Sequence, residues 1–249
     1  MIPWLRPDDP PSAFPSVETA LRDPDGLLCA GGDLSPERLI EAYRRGIFPW
    51  FSAGQPILWW SPDPRALLDP AQLHVSRSLA RALRRGRLAI TVDQAFGAVM
   101  EGCADRRRRP EGTWITPQMR AAYLQLHELG YAHSVETWEG TRLVGGIYGV
   151  ALGRAFFGES MFSAVPDASK IAICGLSHAL LERNYDFIDC QVASPHLESL
   201  GARSLPRSEF LRRLAAATAG PLAPDASWRA ASFALPQAFM QNSGGSRGR

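Results

Sequence analysis

Arg-Ala-Phe-Phe-Gly-Glu-Ser-Met-Phe-Ser, residues 154–163, and Phe-Ile-Asp-Cys-Gln, residues 187–191, close the two ends of one segment. Both ends read as strands, because Phe156, Phe157, Met161, Phe162, Phe187 and Ile188 are aromatic, apolar or β-branched residues in short runs. Between them Ala168 to Arg183 is an apolar helical stretch, with Asp167 or Ser169 available as its cap. Each strand carries carboxylate or amide groups where a buried strand is normally apolar. Alternate residues of a strand share a face. Phe157, Glu159 and Met161 are therefore expected on one side of the first strand. Asp189 and Gln191 project together from the second, with Cys190 turned away. If the two strands are neighbours in a sheet, Glu159, Asp189 and Gln191 converge on one pocket.

Working outward, Ala132 to Trp138 alternates like a strand, Glu139-Gly140 is a tight-turn signal, and Leu143 to Leu152 completes a hairpin. Gly145, Gly146, Gly149 and Gly153 are too many glycines for an ordinary strand, and imply bulges or a ligand close to the backbone. They match neither a dinucleotide fingerprint nor a P-loop. Thr116 caps a helix with Pro117 at its first position, and helices are expected near Pro195 and over 207–216. The order hairpin, strand, helix, strand, helix predicts an α+β or mixed α/β fold. It is a mixed sheet flanked by helices, similar to acyltransferases of the GNAT kind.

Upstream, residues 1–16 are rich in proline and acidic groups and read as an extended arm. Ser35 and Pro36 start a helix that carries Leu39, Ile40 and Tyr43, and Gly46 stops it. Gly-Ile-Phe-Pro-Trp-Phe, residues 46–51, and Leu-Trp-Trp-Ser-Pro, residues 58–62, then crowd five aromatic rings between prolines. Most of these rings are expected in a core, with one free as a platform for a flat ligand such as a nucleobase. Pro62, Pro64 and Pro70 mark a boundary. The expected organisation is a small N-terminal domain over 1–63, a catalytic domain over 64–235 and a disordered tail over 236–249.

The chain of 249 residues is long enough for a sizeable core, and its net charge of +2 does not by itself indicate nucleic acid. Local charge is more informative. Arg77, Arg81, Arg84 and Arg85 form one stripe on a helix starting at Ser76, with Leu79 and Leu83 opposite. A second cluster, Arg106 to Arg109, follows a helical stretch over 93–103. Together they read as a phosphate-backbone footprint. Cys29, Cys103, Cys174 and Cys190 lack the spacing of a disulfide framework or a zinc site, and His74, His127, His133, His178 and His196 show no ligand spacing, so no metal is expected. No apolar run approaches membrane-spanning length, and a monomeric cytoplasmic protein is expected.

Several stretches together resemble the leucyl/phenylalanyl-tRNA–protein transferases. They are Gly-Gly-Asp-Leu-Ser-Pro-Glu-Arg-Leu at 31–39, the aromatic stretch 46–51, Trp-Trp-Ser-Pro-Asp-Pro-Arg at 59–65 and Gly-Thr-Trp-Ile-Thr at 112–116. Leu-Val-Gly-Gly-Ile-Tyr-Gly-Val at 143–150, Gly-Glu-Ser-Met-Phe-Ser at 158–163 and Asp-Cys-Gln at 189–191 continue the match in order. The resemblance implies transfer of leucine or phenylalanine from charged tRNA to proteins beginning with Arg or Lys, marking them for degradation. It implies a small N-terminal domain, a GNAT-like C-terminal domain and no metal or nucleotide cofactor. By the same resemblance Trp50 and Trp114 hold the terminal adenosine. Ile147, Phe156, Met161 and Ile173 form an apolar pocket for the transferred side chain, and Glu159, Asp189 and Gln191 occupy the reacting centre. If Phe156 and Met161 both line the pocket, strict alternation must break, which implies a bulge near Gly158. Ala164 and Asp167 depart from the family, which commonly has arginine and asparagine there.

The chemistry is aminolysis of an activated ester, which asks mainly for alignment and the handling of one proton. An α-amino group has a pKa of about 7.7–8.0, so a useful fraction is neutral near pH 7. Gln191, oriented by Asp189, is expected to position the attacking amine, Asp189 to draw in its cationic form, and Glu159 to hold the aminoacyl group's own ammonium. Two other readings of the residues stay open: an acyl-CoA-dependent N-acyltransferase and a non-catalytic RNA-binding module.

Overall fold

The computed structural model describes residues 2–105, 113–220, 222–224 and 228. The Arg106–Arg109 cluster and the tail over 236–249 lie outside the described residues. Within them the chain is a mixed α/β structure with two mixed sheets and seven α-helices. Strands β1 (Trp4–Leu5), β2 (Leu27–Gly31), β3 (Phe48–Pro49) and β4 (Leu58–Trp60) form the smaller sheet, in the order β1-β2-β4-β3, with helix α1 (Pro36–Arg44) between β2 and β3. The N-terminal segment is thus more than an arm: Trp4 and Leu5 pair in parallel with Ala30 and Gly31.

The larger sheet draws on the rest of the chain. Its strands are β5 (Arg65–Leu68), β6 (Ala89–Val92), β7 (Ala132–Glu139), β8 (Arg142–Leu152), β9 (Ala155–Ser163), β10 (Phe187–Gln191) and β11 (Arg203–Leu205), in the order β11-β5-β10-β9-β8-β7-β6. Its helices are α2 (Arg77–Arg85), α3 (Phe96–Ala104), α4 (Pro117–Glu128), α5 (Ala168–Glu182), α6 (Pro195–Ser199) and α7 (Arg207–Ala217). The strands β9 and β10, joined through α5, are parallel neighbours, and every other pairing in this sheet is antiparallel. No helix of the described residues is long and apolar enough to cross a membrane.

Local sequence chemistry accounts for four of the helix starts. Ser35, Ser76, Thr116 and Ser194 each accept the third backbone N–H of their helix, and Pro36, Pro117 and Pro195 occupy first-turn positions. Each such cap stabilises its helix by about 1 kcal/mol. Helix α5 starts differently. Asp167 stands at its N-cap with φ +64° and makes no capping bond, while the Ser163 hydroxyl accepts the Ser169 N–H at 3.1 Å. Neither candidate read from the sequence supplies the cap.

Two apolar clusters lie on opposite faces of the larger sheet. One joins Leu39, Tyr43 and Trp59 of the small-sheet region to Tyr123, Phe157 and Phe210. The other packs α2 and α5 against Ile147, Phe156 and Trp228. Burying one such side chain contributes roughly 1.5–3 kcal/mol. The glycines of β8 serve this packing. A Cβ on Gly145 would lie 2.6 Å from that of Ala168 in α5, and one on Gly146 would lie 2.9 Å from Val99 in α3. The helices crowd both faces of β8, so close helix packing explains these two glycines without a ligand.

Candidate active site

The site forms where β9 and β10 part. Their parallel register runs from Phe187↔Ala155 to Asp189↔Phe157, and both strands then bulge. In β9, Tyr148 of β8 faces Ser160 and Gly149 faces Gly158, so Glu159 is the extra residue. In β10, the register with β5 shifts between Asp189 and Gln191, and Gln191 takes φ +58°. A bulge reverses the facing of everything beyond it. Glu159 therefore stays with Phe157 on the side of Tyr43, whereas Met161 moves to the side of Ile147. That corrects the shared face expected for Glu159 and Met161, and agrees with the bulge inferred near Gly158. In β10, Cys190 keeps the side of Ile188, away from Asp189 as alternation expected, and the distortion sets Gln191 beside it on the cavity wall rather than squarely with Asp189.

Two adjoining cavities, of about 190 and 280 Å³, share Trp114, Glu159, Cys190 and Gln191 as walls. The first is otherwise mainly apolar, with Ile147, Met161, Ile173, Leu68, Ile188 and Leu197 around it and Ser160 adding one hydroxyl-bearing residue. Phe156 does not line it. That ring is 1% exposed and sits behind the wall, 5.7 Å from the Trp228 ring. The second cavity is bounded by Phe48, Pro49 and Trp50. Of the rings crowded into the N-terminal third, Trp59 is fully buried and donates to Gly31 O, while Trp50 remains 47% exposed. Trp60 braces it by donating to Trp50 O at 2.7 Å.

The polar residues of the two strands meet directly. Gln191 Nε2 donates to Glu159 Oε1 at 3.3 Å, and the Gln191 backbone N–H donates to Asp189 Oδ1 at 2.9 Å. Glu159 also receives the phenols of Tyr43, at 2.8 Å, and Tyr123, at 2.9 Å, and the two phenols bond each other. Burial pushes the Glu159 carboxyl up to about 7, although Tyr43 and Tyr123 pull the other way. Burial, followed by the Glu159 charge, holds both phenols well above their ordinary range. Asp189 is wholly buried, and Arg65 takes both its oxygens, Nε to Oδ1 at 2.8 Å and Nη2 to Oδ2 at 2.6 Å. Asp189 therefore has no free face for an incoming ammonium, contrary to the role expected of it, and acts on its neighbours instead.

Arg65, Tyr43 and Tyr123 were not singled out as site residues. Arg65 closes the 59–65 motif, and Tyr43 stands at helical spacing in α1, but nothing local links either to residues more than a hundred positions away. Arg77, Arg81, Arg84 and Arg85 lie exposed on α2, with Leu79 and Leu83 buried opposite. They do not reach the cavities. Two of the histidines have structural surroundings: His133 bonds Asp93 at 2.7 Å and stacks on Trp228, and His127 bonds Ala132 O at 2.8 Å. Among the described residues no cluster of three or more His, Cys, Asp or Glu could hold a metal ion.

Comparison with known proteins places these features in a wider set. A family model described as leucyl/phenylalanyl-tRNA protein transferase matches residues 67–215, and one described as the N-terminal domain of that transferase matches residues 32–63. The protein named leucyl/phenylalanyl-tRNA–protein transferase in Azoarcus sp. (strain BH72) is 59% identical over 229 residues, covering 92% of this chain and 95% of the relative. That of Stutzerimonas stutzeri (strain A1501) is 55% identical over 230 residues, covering 92% and 100%. Among solved structures, L-PGS from Bacillus licheniformis superposes with a TM-score of 0.36 at 11% identity, covering 65% of this chain and 52% of that one.

Proposed function

The chain belongs to the leucyl/phenylalanyl-tRNA protein transferase family, and from that footing we propose that it moves leucine or phenylalanine from charged tRNA to the α-amino group of proteins beginning with Arg or Lys. The aminoacyl side chain enters the apolar cavity between Ile147, Met161 and Ile173, with Phe156 backing it. The terminal adenosine rests against Trp50 and Trp114 in the aromatic cavity. The ester joining them then lies at the shared wall, beside Glu159 and Gln191.

In the reaction the acceptor amine attacks the ester carbonyl, an amide C–N bond forms, and the bond between the carbonyl carbon and the ribose oxygen breaks. The amine proton passes to the leaving ribose oxygen. The observation that carries this reading is the Gln191 hydrogen bond to Glu159. With its amide nitrogen engaged, Gln191 offers its carbonyl oxygen to the attacking amine. An amide is too weak a base to take the proton, so Gln191 works by placement. Glu159, facing both cavities, receives the aminoacyl group's own ammonium.

The larger sheet with its helices is read as a GNAT-like catalytic domain beginning at residue 64, after a small N-terminal domain over 1–63. Supporting that division, the small sheet ends at Trp60 and the large one begins at Arg65. The α2 arginines are read as contacts to the tRNA backbone, and the protein as a cytoplasmic monomer.

The test is incubation with labelled Phe-tRNA, or labelled acetyl-CoA, and a peptide beginning with Arg. Label reaching the peptide from Phe-tRNA supports the reading. Transfer from acetyl-CoA alone, or tRNA binding without transfer, overturns it in favour of an acyl-CoA enzyme or an RNA-binding module.

A further inference from the structure

We propose that Arg65 is a positioning residue for aminoacyl transfer, acting through Asp189 to set the place of Gln191. The inference rests on the function proposed above and deepens it. Gln191 stands at φ +58°, a region that non-glycine residues occupy only when their surroundings hold them there. The hold visible in the structure is the bond from its N–H to Asp189 Oδ1. Asp189 is fully buried, so it meets no substrate and its contribution is transmitted.

What fixes Asp189 is Arg65. The guanidinium forks onto both carboxylate oxygens and gives a third bond to Gly46 O at 3.0 Å. It is clamped between the Phe48 and Phe210 rings, with its central carbon 4.8 and 4.5 Å from their centres. The fork gives direction as well as charge, and a lysine ammonium cannot reproduce it. Gly46 also opens the segment that carries Phe48, Pro49 and Trp50. Arg65 therefore stands between the aromatic wall and the polar centre of the site and holds both to one frame.

A buried ion pair can equally be a purely structural feature, so the test must separate the two roles. Arg38 provides the comparison. It is 1% exposed, bonds Asp33 at 3.1 Å, and lies in the small-sheet region away from the cavities. Transfer from labelled Phe-tRNA to a peptide beginning with Arg is measured in Arg65→Lys and Arg38→Lys, each below its own Tm. The kcat is expected to fall at least about tenfold in the first and less than about twofold in the second. In a Gln191→Ala background, Arg65→Lys is expected to add less than about twofold, because its effect runs through the side chain already removed. An equal fall in both backgrounds, or an unchanged kcat, overturns the proposal.

A second measurement needs no substrate. The side-chain amide resonance of Gln191, assigned by its loss in Gln191→Ala, is expected to move in Arg65→Lys and stay in place in Arg38→Lys. A resonance that stays in both contradicts the role of Arg65. If wild-type protein transfers nothing from Phe-tRNA, the functional reading fails, and this resonance still decides Arg65. Should Arg65→Lys not fold, Phe210→Leu loosens the same guanidinium with both charges still paired, and the same cycle applies.

Discussion

Glu159 carries the ionisation most sensitive to the fold. Burial lifts its carboxyl from the ordinary 4.5 to about 7, so between these values the native state keeps a proton that the unfolded chain has released. Stability falls with rising pH wherever the native state binds more protons. From pH 4.5 to 7 the wild type is therefore expected to lose about 2–3 kcal/mol relative to Glu159→Gln, read as diverging Tm values; parallel curves would refute the assignment. Asp189 behaves differently. Asp189→Ala leaves the Arg65 cation buried and uncompensated, and should cost about 3–5 kcal/mol in denaturant unfolding. Lost transfer in that variant has to be read beside lost stability, and a loss under 1 kcal/mol would contradict the buried pair. Glu159, Asp189 and Gln191 were legible in the sequence because polar groups interrupt apolar strands. Arg65, Tyr43 and Tyr123 were not, since their roles depend on pairings across 124, 116 and 36 positions.

The decisive feature at the level of elements is the pair of bulges in β9 and β10. Alternation predicts facing correctly only up to a bulge, which is why Met161 falls on the side opposite to that expected. Glycine at position 149 permits the close backbone approach at the β9 bulge, because a Cβ there would lie 2.1 Å from Phe157 O. Gly149→Ala should lower stability by roughly 1–3 kcal/mol and weaken transfer with it; a variant with unchanged Tm would show that the strand can re-register. Helices with serine or threonine caps and prolines were readable from local chemistry. The short strands β1, β3 and β11 were not, since two or three residues carry no periodicity and owe their conformation to a neighbour. On α2, replacing Arg81 and Arg85 by Ala should flatten the slope of log affinity for tRNA against log salt by about one to two units, with Tm unchanged. An unaltered slope would remove this face from the tRNA path.

At the scale of the whole molecule, the proposed reacting centre lies on a seam. The small-sheet region supplies Tyr43 and Trp50, the hairpin supplies Ile147, and the β9–α5–β10 unit supplies Glu159, Ile173 and Gln191. The order of that unit and the convergence of its polar groups were readable from sequence, as was the mixed α/β class. The way the N-terminal region closes over the sheet was not, because it is written in tertiary packing among Trp59, Tyr43, Phe157 and Phe210. Placement at this seam is what the chemistry requires, so the sharpest measurement removes the placing group alone. Single-turnover transfer from labelled Phe-tRNA to a peptide beginning with Arg, with tRNA affinity measured in parallel, is compared between wild type and Gln191→Ala. The expected result is a fall in rate of about a hundredfold with affinity within about twofold; a wild-type rate at unchanged affinity would contradict it.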